Sequence, residues 1–535
     1  MSYDYIIIGA GPSGLTLAYG LANKGKQCLV VDRQSSIGGC HRVLRVNGYF
    51  TEHSPRVYLS SYVNMMRWFK HMHIHDLFTP YHYGTTSIAN KLLDKLSWYE
   101  CGCMAWAFTR CMIQSEYGKD KSVRDFANES NFSEESKDYL DRLCRFTDGA
   151  GSDRYRLNQL LEIMNQNAMY TILQPKLPND IAMFPRIQHA LERKGVTFLL
   201  DADVEEILMN NAQTRVTGIS VHHNLQSRTL FADNVILAVP PKDLSIILNA
   251  SPCPTAFGSL TEWSTQSSYD TDLAAIFHWN QELDIPNIWG FPFSEWGLIF
   301  IPLSNYMSFD NNSKTVISTC ITYLDRRSSE TGQTANQMSD SGELLAEIFR
   351  QLKLVYPDLP QPTFSCLSPT VYRDEGKWVN QDSAYIHSKN SNYISSKGSI
   401  PNLFQVGVQN GHSPLYATTF EAAVANAIVF LEEQNMPLFP LQKPTTIRTV
   451  LFWILIAIVL LILIYVLYWY YNYKPIRTSI RDTEPIIIPT EDTTNSIVDT
   501  EPVVIPKEEV PITYEEPIAI PIDIPTDTYE PIVEK

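Results

Sequence analysis

The sequence predicts an α/β fold in which a parallel-sheet unit opens the chain and an α+β domain is inserted into it. A membrane-spanning helix and an unstructured tail follow. Three observations lead there. A strand–turn–helix–strand pattern with a glycine-rich turn fills the first forty residues, and sheet-returning segments recur at 181–241 and 402–431. A charge-free apolar run then precedes an acidic, proline-rich end.

The opening pattern is the most specific of the three. The apolar strand Tyr5-Ile6-Ile7-Ile8 runs into Gly9-Ala10-Gly11-Pro12-Ser13-Gly14. A helical period continues through Leu15, Ala18, Leu21 and Ala22, and a second strand, Cys28–Val31, ends on Asp32 and Arg33. Gly9 makes the tight turn, Gly11 lets the backbone approach a pyrophosphate, and Gly14 lets the helix pack on the strand. The helix N-terminus, with Pro12 and Ser13 in its first turn, faces the phosphate charge. Asp32 stands where an acid hydrogen-bonds the ribose hydroxyls. This is the Rossmann-type dinucleotide pattern. The pair Gly38-Gly39, followed by Cys40, His41 and Arg42, places a second backbone loop against the same ligand.

The two later segments fit a discontinuous sheet. Ile181–Leu208 reads as a helix and two strands. Val216–Val221 and Phe231–Pro241 read as a hairpin-like pair whose second strand is buried and ends on Pro240-Pro241. Asn402–Leu431 reads as a strand ending at Gly407, then a helix from Thr418 or Thr419.

With those residues in place, the run GAGPSGL…VVDRQSSIGG resembles the superfamily of FAD-dependent amine oxidases, protoporphyrinogen oxidases and phytoene-type desaturases. The resemblance implies FAD as cofactor and a small-molecule substrate. It also implies an FAD-binding domain made of 1–90, 180–250 and 395–436, with a substrate domain made of 91–179 and 251–394. Glu421-Ala422-Ala423-Val424 is similar to the family's closing flavin helix, whose first amides face the isoalloxazine. The implied cofactor residues are Gly9, Gly11, Pro12, Ser13, Gly14, Asp32, Arg33, Gly38, Gly39, Cys40, Arg42, Gly407, Val408 and Thr419. Four departures stand out. The family has Glu at Asp32 and Arg at Cys40, so His41 or Arg42 is left to supply the positive charge. It also has an acid where Val408 and Gln409 stand, with Gln409 or Asn410 as substitute. Amine-oxidising members carry a Lys that Asp272–Trp279 lacks, which leaves C–C desaturation open.

Flavin chemistry asks little acid–base help of the protein. The candidate catalytic residues are therefore those implied beside the ring: His53 after the Gly-Gly segment, and His412 and Tyr416 before the closing helix. Trp378 is a candidate wall residue or a core residue. His71, His73 and His75 have strand-like spacing but no acidic or Cys partners, so no metal site is expected.

Thr449–Tyr471 is 23 residues without a charge, with Trp453 near one end and Tyr468, Trp469, Tyr470 and Tyr471 at the other. Its length matches a hydrocarbon core of roughly 30 Å, and its aromatic ends match the two interfaces. A single-pass anchor at 449–471 is expected. The short apolar opening without a basic flank favours a cytosolic flavin domain, whereas the flanking charges weakly favour the reverse. From Asp482 onward there are 14 acidic and 2 basic side chains, so most of the formal charge of −16 sits there. With repeated Glu-Pro-Ile/Val units, 475–535 is expected to be an extended, disordered strip, inert or able to bind a protein partner. With a nearly neutral body, nothing suggests a nucleic-acid-binding surface. Two rivals follow. One is a degenerate flavoprotein fold acting as a scaffold through its tail; the other, an NAD(P)-dependent enzyme, is disfavoured by Gly38-Gly39 and the closing helix.

Overall fold

The computed structural model describes residues 2–83, 95–167, 170–260, 262–263, 267–269, 272–290, 293–381, 385–386, 393–415 and 419–473. Tyr416 and the strip 475–535 lie outside them. The chain falls into two units, Met1–Ile464 and Tyr465–Lys535.

The first element, β1 (Ser2–Ile8), passes through the glycine turn into α1 (Pro12–Ala22), and β2 (Cys28–Val31) returns beside β1 in parallel. The strand Thr197–Leu199 extends the sheet beyond β2. On the other side β1 pairs in parallel with the C-terminal half of Gln226–Leu237, which in turn takes Leu403–Gln405. The N-terminal half of Gln226–Leu237 pairs instead with Val216–His223, and that strand with Ala202–Met209, both antiparallel. Three distant stretches thus share one sheet, as expected from the returning segments.

Alternation decides its two faces. Tyr5, Ile7, Cys28 and Val30 point to a core completed by Leu15, Leu17, Val424, Ile428 and Leu431, from α1 and the closing helix Phe420–Glu433. Ile6, Ile8, Leu29 and Val31 point to a second core with Val235, Leu237, Leu244 and Leu248. Both faces are covered, so these strands read as continuous apolar runs. Two expected strand ends were too late. Gln226–Leu237 stops at Leu237, because Pro240 caps and Pro241 begins the helix Pro241–Asn249. Leu403–Gln405 stops before Gly407, which caps a short 3₁₀ turn.

The helix α2 (Val63–His71) carries His71 at its end, and His73 has a positive φ of 58°, so the three histidines do not share a strand. Glu421 ties α2 to the closing helix. Its carboxylate accepts from the Asn64 and Met65 amides at 3.1 and 2.7 Å, capping the first turn of α2 from another element.

A second, antiparallel sheet has the order Ile299–Pro302, Thr315–Ile321, Leu273–Trp279, Phe364–Leu367. The helix Ser341–Lys353 covers one face, with Leu273, Ala275, Phe277 and Trp279 beneath it. Trp378 belongs to this core. It is buried, and its indole N–H donates to the Met338 carbonyl, so it is not a wall residue. The other face carries Ala274, Ile299 and Cys320 against Phe146. Phe146 comes from Glu134–Asp148, one of four helices with a core of their own; the others are Trp98–Ile113, Val123–Glu129 and Leu157–Asn167.

Candidate functional site

One cavity of about 1000 Å³ runs from the glycine turn to the second sheet. At its first end Gly9, Gly11, Pro12 and Ser13 line it beside Gly39, Cys40 and Arg42. α1 has no side-chain cap at Gly11, so its leading amides are open to an anion. The carboxylate of Asp32 turns back on the turn itself, accepting from Ala10 N at 2.6 Å and from Gln34 N at 2.9 Å. Burial raises its carboxyl, while those two amides and the nearby Arg42 charge oppose the rise. Arg42 is buried, lines the cavity beside Cys40, and donates to the Gly39 carbonyl.

The middle of the cavity is formed by His41, His53, Arg56, Tyr58, Gly407, Val408, Gln409, Thr419, Phe420 and Ala423. The Thr419 hydroxyl accepts from Ala422 N and so starts the closing helix at the cavity wall. The Ser13 hydroxyl donates to the Ala423 carbonyl, holding the two helix starts together. His53 is buried. Its Nδ1 lies 2.8 Å from the Asn380 amide nitrogen, which only donates, so the ring proton is placed on Nε2. Burial and then Arg56 push His41 well below its usual pKa, so it is neutral.

The far end is mostly apolar. Leu143, Phe146, Leu160, Ile163, Met164, Ile172, Trp289 and Ile299 line it, with Arg145, Asp272 and Cys320 among its polar groups beside Thr147, Asn167 and Tyr170. The Cys320 thiol donates to the Asp272 carboxylate at 3.7 Å. Arg145 is tied to Asp141 at 2.9 Å. Burial alone would raise the Asp141 carboxyl, but Arg145 and the Tyr323 hydroxyl hold it well below the usual range.

Residues 7–72 match the family described as NAD(P)-binding Rossmann-like domain. No curated protein matches the sequence. Among solved structures, a putrescine oxidase bound to putrescine is similar with a TM-score of 0.58 at 12% identity, over 81% of this chain and 99% of that one. Cyclohexylamine oxidase from Brevibacterium oxydans gives 0.53 at 13% identity, over 81% and 100%. An oxidoreductase from Methanosarcina mazei gives 0.54 at 13%, over 80% and 99%. The chain shares the fold of these oxidases.

On that amine oxidase fold, the expected site residues divide by position. Gly9, Gly11, Pro12, Ser13, Asp32, Arg33, Gly39, Cys40, Arg42, His53, Gly407, Val408 and Thr419 all line the cavity, although Arg33 is paired with Asp243 at 3.0 Å. Gly14 and Gly38 do not line it. A Cβ on Gly14 would lie 1.9 Å from the Gly9 carbonyl oxygen, and one on Gly38 would meet the Phe184 ring at 2.6 Å. Both are glycines for packing. His412 is exposed and outside the cavity lining; its backbone amide is held by Asn426, which turns the segment outward. Asn410 cannot replace the missing acid, because its amide is bonded to Gly407 N and the Ile394 carbonyl. Gln409 lines the cavity, with its NH₂ on Gln405 and Val239.

The sequence reading missed Arg145, Phe146, Asp272, Trp289 and Cys320. They come from four segments with no motif, and only the missing lysine in Asp272–Trp279 pointed to that wall. Among the described residues no group of three His, Cys, Asp or Glu could hold a metal. One helix, Ile447–Asn472, is long and apolar enough to cross a membrane.

Proposed function

We propose that this chain is a membrane-anchored, FAD-dependent oxidoreductase that takes a hydride from an amine or an unsaturated, lipophilic substrate. The observation that carries the reading is the continuity of one cavity, with a dinucleotide cradle at one end and an apolar chamber at the other. The donors suit FAD. The uncapped α1 start and Arg42 meet the pyrophosphate, Asp32 the ribose, and the first amides of the closing helix the ring. FAD, when bound, supplies the hydride acceptor.

The chain's own residues do the rest. Phe146, Trp289, Ile163 and Ile299 exclude water and hold an apolar substrate, and Arg56 and His41 enclose the junction between the two ends. The wall that carries lysine in amine-oxidising relatives presents Asp272 and Cys320 here, and the carboxylate suits a cationic amine. The domain division of the sequence reading, the anchor at 449–471 and a cytosolic body belong to this proposal. The oxidase neighbours lend the scaffold alternative no support.

The test is the absorption spectrum of the purified full chain, followed by anaerobic titration with apolar amines and with polyene lipids. Flavin bands bleached by one class identify the substrate. A colourless protein that stays colourless after FAD is added overturns the proposal.

A further inference from the structure

The helix Trp98–Ile113 is apolar around its whole circumference. Its single acid, Glu100, is buried in a capping box with Ser97, and its single base is Arg110. A helix apolar on all sides belongs in a core or a membrane. Here only one side is in a core: Met104, Ala107 and Cys111 pack with Leu160 and Leu161. Trp98, Tyr99, Gly102, Ala105, Trp106, Thr109 and Ile113 occupy an arc of about 120° opposite them, at 100° per residue, and all are exposed. Trp98 is 95% exposed, Trp106 64% and Ile113 80%. Two indoles and an isoleucine left in water along one stripe call for a partner.

A second observation says which. Arg448, the second residue of the apolar helix Ile447–Asn472, donates from Nε to the Met112 carbonyl at 3.0 Å and from its terminal nitrogen to the Cys111 carbonyl at 2.7 Å. Its backbone N–H donates to Asn165 Oδ1 at 3.0 Å, and its guanidinium pairs with the buried Glu162. The candidate span therefore starts at the C-terminal end of Trp98–Ile113, held to it by hydrogen bonds. Resting on the proposed membrane anchor, we infer that Trp98–Ile113 lies in the bilayer interface, with Trp98, Trp106 and Ile113 inserted among the lipid headgroups and upper acyl chains. Indole at this level is the pattern of interfacial belts. Because the face carries one cation and no exposed acid, insertion rests on apolar contact and needs no anionic lipid. The helix Leu157–Asn167 lies directly behind it, and its residues Leu160, Ile163 and Met164 line the cavity. The apolar end of the cavity is thus one helix from the lipid, which suits a substrate taken from the bilayer.

The full chain carries ten tryptophans. In a Trp453→Phe/Trp469→Phe background, reconstituted in phosphatidylcholine vesicles with brominated acyl chains, eight indoles remain. The expected result is quenching of two indoles' share of the emission, unchanged by salt, and its disappearance when Trp98→Phe/Trp106→Phe is added. A chain that floats with the vesicles but is unquenched in this background overturns interfacial docking alone, including the case of a second copy covering the stripe. A chain that does not float with the vesicles overturns the anchor and the docking together.

Discussion

Gly14 and Glu52 show how much depends on single side chains that never touch a ligand. A methyl group at Gly14 has no room beneath the Gly9 carbonyl, so Gly14→Ala must open the turn that forms the cradle. Overpacking of this kind costs about 1–3 kcal/mol. The variant should unfold earlier on heating and purify with less flavin; full flavin content at unchanged thermal stability would contradict the assignment. Glu52 lies behind the cavity, where burial pushes its carboxyl up from 4.5 to about 7 against the Ser318 hydroxyl and the Arg56 charge. Below about pH 4.5 it is protonated folded and unfolded. As pH rises toward 7 the unfolded chain releases the proton first, so stability falls through this window by on the order of 3 kcal/mol and then levels. Glu52→Gln should flatten the decline in urea melts taken across that range. A same-signed contribution from Glu421, also raised to about 7 by burial, will remain.

At the scale of elements, the site is held by contacts between segments hundreds of residues apart. Beside the packing of Phe420 on Trp68 and Phe69, the closing helix is hydrogen-bonded to α2 through Glu421, whose loss would orphan two buried backbone donors while the Asn64 side chain keeps its bonds to Gln442. Each orphaned donor costs about 1–3 kcal/mol. Glu421→Ala should therefore lower the melting temperature strongly and loosen flavin, measured as release on dilution. The start of the apolar helix depends likewise on Arg448 and Glu162. Glu162 is 2% exposed, and removing its partner from a buried pair costs about 3–5 kcal/mol, less here because Arg448 is one-third open. Arg448→Met should destabilise the body, and Arg448→Met/Glu162→Gln should recover most of the loss in the same thermal assay.

The glycine cradle, the acid at the end of β2 and the closing helix were legible because each is a contiguous pattern with its own spacing. His412 was misplaced for the opposite reason: sequence position beside the flavin helix does not say which way a loop turns. Here Asn426 takes its amide and directs the ring to solvent. Pro240-Pro241 was misread as a strand end because proline suits both a strand's last residue and a helix's first turn.

For the molecule as a whole, the anchored reading predicts that the full chain stays with the membrane pellet through alkaline carbonate washing and is freed only by detergent. Release by carbonate or salt would mean that Ile447–Asn472 lies on a surface or against a partner. By itself the sequence determined the dinucleotide unit, its three-part sheet and the apolar helix, because local periodicity and contiguous hydrophobicity decide such elements. The tertiary structure alone decided the chamber, with Arg145, Phe146, Asp272, Trp289 and Cys320 meeting across a helix and a sheet. It also decided that the apolar helix Trp98–Ile113 keeps one side out of the core. Neither could be read along the chain, since a cavity wall is made of residues whose only relation is the packing of the elements that carry them.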